Sequence, residues 1–200
     1  MLVQDVLRDA AASHGALPAV RGGDGVRSFE ELLDRASRLA SGLRALGLRP
    51  GDRVLEAIPN RCALVESEFA LAIAGLVRVP LNPRLGPREW RGIAQDSGAR
   101  ALIIDPLIES ADGATMEQHV DVDLVIDAGA SPQLGAVSVR DLIASGDIEA
   151  DQHAAPDDLV ALAYSSGTTG RPKGARRTHR MRLASAEAMR TEVIGDTLDP

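Results

Sequence analysis

Short apolar runs of strand length alternate along this chain with stretches of helical period, and that alternation leaves few folds open. The strand-length runs are Arg53–Ile58, Val77–Leu81, Ala101–Ile104, Leu124–Ile126 and Leu159–Tyr164. Ser28 and Glu31 have the spacing of a capping box, and Leu32, Leu33, Ala36, Leu39, Ala40, Leu43 and Leu46 then recur at helical period. Gly47 is a natural stop for that helix, and Pro50-Gly51-Asp52 is a turn. Asn60 is placed to cap a mostly apolar helix over Cys62–Gly75, and Pro87 to open one running to about Asp96. Helices are also expected at Val3–Ser13 and Met181–Val193, with one helical turn around Val139–Ala144. Strands that alternate with helices predict an α/β fold of parallel βαβ units, with helices on both faces of the sheet.

Composition narrows the class. The chain has 200 residues, enough for one domain with a substantial core. Only 2% of residues are aromatic, so Ala, Val, Leu and Ile must build that core. A formal net charge of −7 gives no reason to expect nucleic acid or an anionic membrane as partner. Cys62 is the lone cysteine, so no internal disulfide can form, and a cytoplasmic location is expected. The N-terminus lacks the pattern of a signal peptide, and no apolar run is long enough to span a membrane. Of the 22 basic residues, all but Lys173 are arginine. An ammonium is a compact point charge that fits where a planar guanidinium does not.

Lys173 lies in the run YSSGTTGRPKG, Tyr164–Gly174, directly after an apolar strand. Glycines let backbone N–H groups approach an anion closely, hydroxyls add adaptable donors, and an ammonium neutralises phosphate charge. A strand leading into the run places it at the carboxyl end of the sheet, where open α/β folds bind ligands. The run is not a Walker A loop, since Pro172 precedes the lysine and Gly174 follows it. Residue types alone also fit a polar, glycine-rich surface turn. The remaining candidates are weaker. His14, His119, His153 and His179 lack metal-ligand spacing, Cys62 and Trp90 read as packing residues, and Asp157-Asp158 as a solvated strand edge.

YSSGTTGRPKG resembles the phosphate-binding signature of the adenylate-forming superfamily, which includes acyl- and aryl-CoA synthetases, firefly-type luciferases and peptide-synthetase adenylation domains. A second region agrees with it: RPGDRVLEAIPN, then VRVPLNPRLGPREW, then SGAR before an apolar strand. The likeness covers most of Ser28–Arg180, and VPLNPR is closer to the acyl-CoA synthetase branch. It implies the N-terminal part of the adenylate-forming ligase fold and a two-step reaction. ATP and a carboxylic acid give an acyl-adenylate, and CoA then displaces AMP to form a thioester. Ser165, Ser166, Gly167, Thr168, Thr169, Gly170, Lys173 and Gly174 would wrap the β- and γ-phosphates. Thr168 or Thr169 would approach Mg²⁺, and Lys173 would stabilise charge moving onto pyrophosphate.

The same resemblance implies a division of the chain. Ser28–Ile104 is expected as a first βαβ region, residues 105–156 as a variable linking region, and 157–180 as the strand plus phosphate loop. The rest of the adenylation domain and the C-terminal domain lie further along in the family, so this chain alone is expected to be inactive. A natural short nucleotide-binding or interaction module, and part of a peptide-synthetase adenylation domain, are the alternatives. One departure concerns Ala175, Arg176 and Arg177, which stand where the family has an apolar strand before a Thr-His pair. They read as a solvated basic turn, with an exposed strand or a phosphate-facing pair as the other possibilities.

Overall fold

The computed structural model describes residues 1–106, 108, 115–129, 137–148, 154–165 and 173–194. Helix α1, Val3–His14, precedes a hairpin of β1, Pro18–Gly22, and β2, Gly25–Ser28. Helix α2, Phe29–Ala45, starts at the expected capping box: Ser28 Oγ accepts from the Glu31 N–H at 3.2 Å, and the Glu31 carboxylate accepts from the Ser28 N–H at 2.9 Å. Gly47, with φ +88°, takes the left-handed turn that ends it. Then come β3, Arg53–Ala57; α3, Cys62–Ile73; β4, Val77–Pro80; α4, Pro87–Ser97; and β5, Ala101–Ile104. A 3₁₀ turn, Met116–Gln118, leads to β6, Leu124–Asp127, and α5, Val139–Ser145. The described chain closes with β7, Leu159–Ser165; β8, Lys173–Thr178; α6, His179–Met189; and a π-helical turn, Arg190–Ile194.

Six strands form one sheet in the order β6-β5-β3-β4-β7-β8. The first five are mutually parallel, and β8 returns antiparallel to β7. Successive side chains on a strand point to opposite faces, and the two cores follow that period. Val54, Ala101, Ile103 and Ile126 pack under α2, α3 and α5, whereas Leu55, Ala57, Leu102 and Ile104 pack with Trp90 and Ile93 of α4. Trp90 is fully buried, as a packing residue should be. Both sheet faces are therefore covered, and a strand buried on both faces favours a continuous apolar run, as Ala101–Ile104 has.

Two features differ from expectation. The β1–β2 hairpin has no apolar alternation, and most of its residues are exposed or half-buried, so periodicity does not reveal it. The start of α3 is capped by that hairpin and not by Asn60. Asp24 Oδ1 accepts from the Cys62 N–H at 2.8 Å, and its Oδ2 from the Ala63 N–H at 3.1 Å. Gly22 permits the approach, because a Cβ there would lie 2.8 Å from the Cys62 nitrogen and 2.9 Å from the Arg61 Cα.

Burial acts to raise the Asp24 carboxyl, but the hydrogen bonds from Cys62 and Ala63 outweigh it and hold it below its ordinary value. A depressed folded-state value means that this stability is present above the unfolded carboxyl's titration and is lost as pH falls through the folded one. Asp24→Ala is expected to cost about 1 kcal/mol at neutral pH, as lost helix caps do. Urea unfolding of the two proteins at pH 7 and pH 3 checks this. An unchanged gap between the curves at the two pH values would rule out the charged cap.

Candidate functional site

The signature run is mounted on the β7–β8 hairpin. Residues 166–172 lie outside the described residues, and with them Ser166, Gly167, Thr168, Thr169 and Gly170. Both ends of the run are described. Ser165 ends β7 and Lys173 begins β8, and the two are register partners, both exposed. Because β7 is parallel to β4, the pair sits at the carboxyl end of the parallel strands. The next rung has no room for a Cβ unless the Tyr164 ring moves. Gly174 faces Tyr164, and a Cβ there would come within 2.9 Å of the phenol ring. The serine hydroxyl, the ammonium and a rung without a side chain suit a polyphosphate, which needs donors and close backbone approach.

Beyond Gly174 the chain departs from the basic turn expected of Ala175, Arg176 and Arg177. These residues belong to β8 and pair with Ala163, Leu162 and Ala161. β8 is the outermost strand, so its backbone satisfies the ladder with β7 while its side chains stay in solvent, and two arginines cost little there. Thr178 then caps α6, its hydroxyl accepting from the Met181 N–H at 3.2 Å. His179 is buried, and its Nδ1 accepts from the Val3 N–H at 3.1 Å, which ties α6 to the start of α1. Burial lowers its pKa against the opposing pull of Asp158 and Asp5. Asp157 makes a two-point pair with Arg180 at 2.8 and 2.9 Å, so it serves the solvated edge expected of it.

Behind the hairpin lies a chain of charges that the apolar reading of Arg53–Ile58 missed. Glu56 of β3 is 2% exposed and pairs with Arg78 of β4. Arg78 also reaches Glu68 of α3 at 3.3 Å, and Glu68 pairs with Arg182 of α6. Burial pushes the Glu56 carboxyl up, against the pull of Arg78. A carboxylate inside an otherwise apolar strand, with an arginine inside the next, is the signal that could have revealed it. Arg78, Arg177 and Arg182 line a cavity of roughly 380 Å³ with Ala161, Ala163 and Met189. By strand period Ser165 and Lys173 share the face of Ala161, Ala163 and Arg177, so this basic cavity lies on the same side as the loop ends.

The sheet also has a topological switch point at β3, which has β5 on one side and β4 on the other. Open α/β folds commonly bind ligands at such a point. Here it is spanned by Arg61, whose Nη2 meets Asp105 Oδ2 at 2.5 Å and donates to the Ala128 carbonyl at 2.9 Å. Nearby, Arg27 and Arg35 both pair with Glu66, which is 1% exposed. The arginines at this end are thus held by the protein's own acids, whereas Lys173 projects from the stem. Among the described residues, no helix is long and apolar enough to cross a membrane.

The family model described as AMP-binding enzyme matches residues 7–199. Feruloyl-CoA synthase of an Amycolatopsis species is 43% identical over 161 residues, covering 80% of this chain and 30% of the relative. 4-Coumarate–CoA ligase 3 of Oryza sativa subsp. japonica is 32% identical over 188 residues, covering 92% of this chain and 33% of the relative. The solved anthranilate CoA ligase AuaEII, in complex with anthranoyl-AMP, superposes with a TM-score of 0.85 at 28% identity. That likeness covers 98% of this chain and 38% of the ligase. The chain spans about a third of the length of the curated relatives it matches.

Proposed function

Because this chain belongs to the AMP-binding enzyme family, we propose that it supplies the phosphate-binding part of an ATP-dependent carboxylic acid–CoA ligase. The reaction is acyl-adenylate formation with release of pyrophosphate, followed by thioester formation on CoA. The observation that carries this reading is the stem of the candidate loop: Ser165 and Lys173 face each other at the carboxyl end of the parallel sheet, beside the cleared rung at Gly174. Ser165, Ser166, Gly167, Thr168, Thr169, Gly170 and Gly174 bind the β- and γ-phosphates through hydroxyl and backbone donors. Lys173 neutralises charge that grows on the departing pyrophosphate, the interaction that accelerates the step if it strengthens in the transition state. Thr168 or Thr169 would approach Mg²⁺, which would supply further charge neutralisation. No general base is needed from this segment, because the acid's own carboxylate is the nucleophile.

Since the relatives run about three times as long, the acid pocket and the later catalytic groups are assigned to parts of the ligase beyond this stretch. The 200-residue chain is therefore expected to bind MgATP but to give no acid-dependent ATP–pyrophosphate exchange. Calorimetry measures the first and isotope exchange with a panel of aryl and aliphatic acids the second. A chain that binds no MgATP, or one that exchanges with any acid, would overturn the corresponding half of the proposal.

A further inference from the structure

Tyr164 does more than precede the loop. Its ring lies across Gly174 on the neighbouring strand, so it touches both arms of the hairpin at once. Its hydroxyl donates to Asp96 Oδ2 of α4 at 2.5 Å, the short range of a charge-assisted O–H···O⁻ bond. Burial, with Asp96 assisting, raises the phenol above its ordinary value. Asp96 is itself in an awkward place. It stands in the last turn of α4, where the helix dipole disfavours a negative charge. The carboxylate does nothing for its own helix, and the tyrosine is the partner it serves.

We infer that Tyr164 and Asp96 form a clamp that holds the Ser165–Lys173 rung of the candidate phosphate site, fastening both strands of the β7–β8 hairpin to α4. This role rests on the reading of residues 165–174 as the phosphate-binding loop. The clamp touches no phosphate. It fixes the rung from which Ser165 and Lys173 extend, so that their donors are held in place before the anion arrives. Alanine at position 174 would push the ring aside and break the same contact from the other strand.

The test uses the chain as it stands, with magnesium pyrophosphate as the probe, since pyrophosphate is transparent in the near ultraviolet. Tyr164 is the only tyrosine, so its difference spectrum reports the clamp directly. Tyr164→Phe and Asp96→Ala are each expected to weaken pyrophosphate binding about three- to tenfold. The double variant should be no weaker than the worse single one, because the two groups act as a unit. Asp96→Ala should lower the melting temperature only slightly, since alanine at the helix end offsets part of the lost bond, and pyrophosphate should raise that temperature less than in the unsubstituted chain, which a merely structural contact would not change. Pyrophosphate should perturb the phenol band of the unsubstituted chain and not that of Asp96→Ala. Normal binding by Tyr164→Phe, with Lys173→Ala weakened, would remove the clamp and leave the loop. Normal binding by Lys173→Ala, or none by the unsubstituted chain, would remove the loop reading and the clamp with it.

Discussion

Lys173→Ala is expected to weaken MgATP binding about ten- to a hundredfold while leaving the fold intact. The loss is that of one charge-assisted contact to an anion, about 1.5–3 kcal/mol. The fold is spared because Lys173 is exposed at the mouth of the hairpin and contributes nothing to either core. In any ligase that contains this stretch, turnover should fall as well, since charge on pyrophosphate is larger in the transition state than in bound ATP. Lys173→Arg is the sharper comparison. It keeps the charge and changes only its shape, so partial impairment is expected where geometry matters. Calorimetry on both variants, with thermal unfolding as a control, decides the matter. Affinities equal to the unsubstituted chain would return the run to a polar surface turn.

Arg78→Ala should have the largest effect on stability, about 3–5 kcal/mol, the usual consequence of leaving a buried charge without its partner. The Glu56 side chain is fully inside, and Arg78 is the cation that pairs with it there. The same substitution leaves Glu68 of α3 with Arg182 of α6 alone, where Arg78 and Arg182 now share it. Replacing both ends, Glu56→Leu with Arg78→Met, should recover most of the loss, since an apolar pair of similar volume removes the desolvation problem. Urea denaturation of the single and double variants measures both quantities. A loss below 1 kcal/mol for Arg78→Ala would mean that Glu56 is carried neutral by the fold.

What could be read from residues alone follows a physical boundary. Strands buried on both faces announce themselves through continuous apolar residues, as at Val54, Leu55 and Ala101–Ile104. Helix ends with local chemistry, such as Ser28 with Glu31 and Pro87 at the first turn of α4, were equally legible. The β1–β2 hairpin and β8 were not, since both keep their side chains largely in solvent and hold together through backbone pairing. Strand order was also out of reach, because parallel neighbours are chosen by distant packing. Within the candidate site, Lys173 stood out by composition and spacing. The partner of Tyr164 did not, as Asp96 lies 68 residues earlier and the two meet only once α4 and β7 are in place.

The order of the sheet has a consequence for how the chain reaches this state. β4 and β5 follow β3 closely in sequence and each pairs with it, so they close short loops. β7 instead joins β4 after the chain has travelled from residue 80 to residue 159, passing through β5 and β6 on the far side. Contacts of such long sequence separation form late. The hairpin that carries the candidate loop would therefore join late, on a platform already built. A unit that docks last can also detach first, leaving its neighbours paired. Opening at the seam between β4 and β7 would thus release the hairpin as one unit, separate from global unfolding.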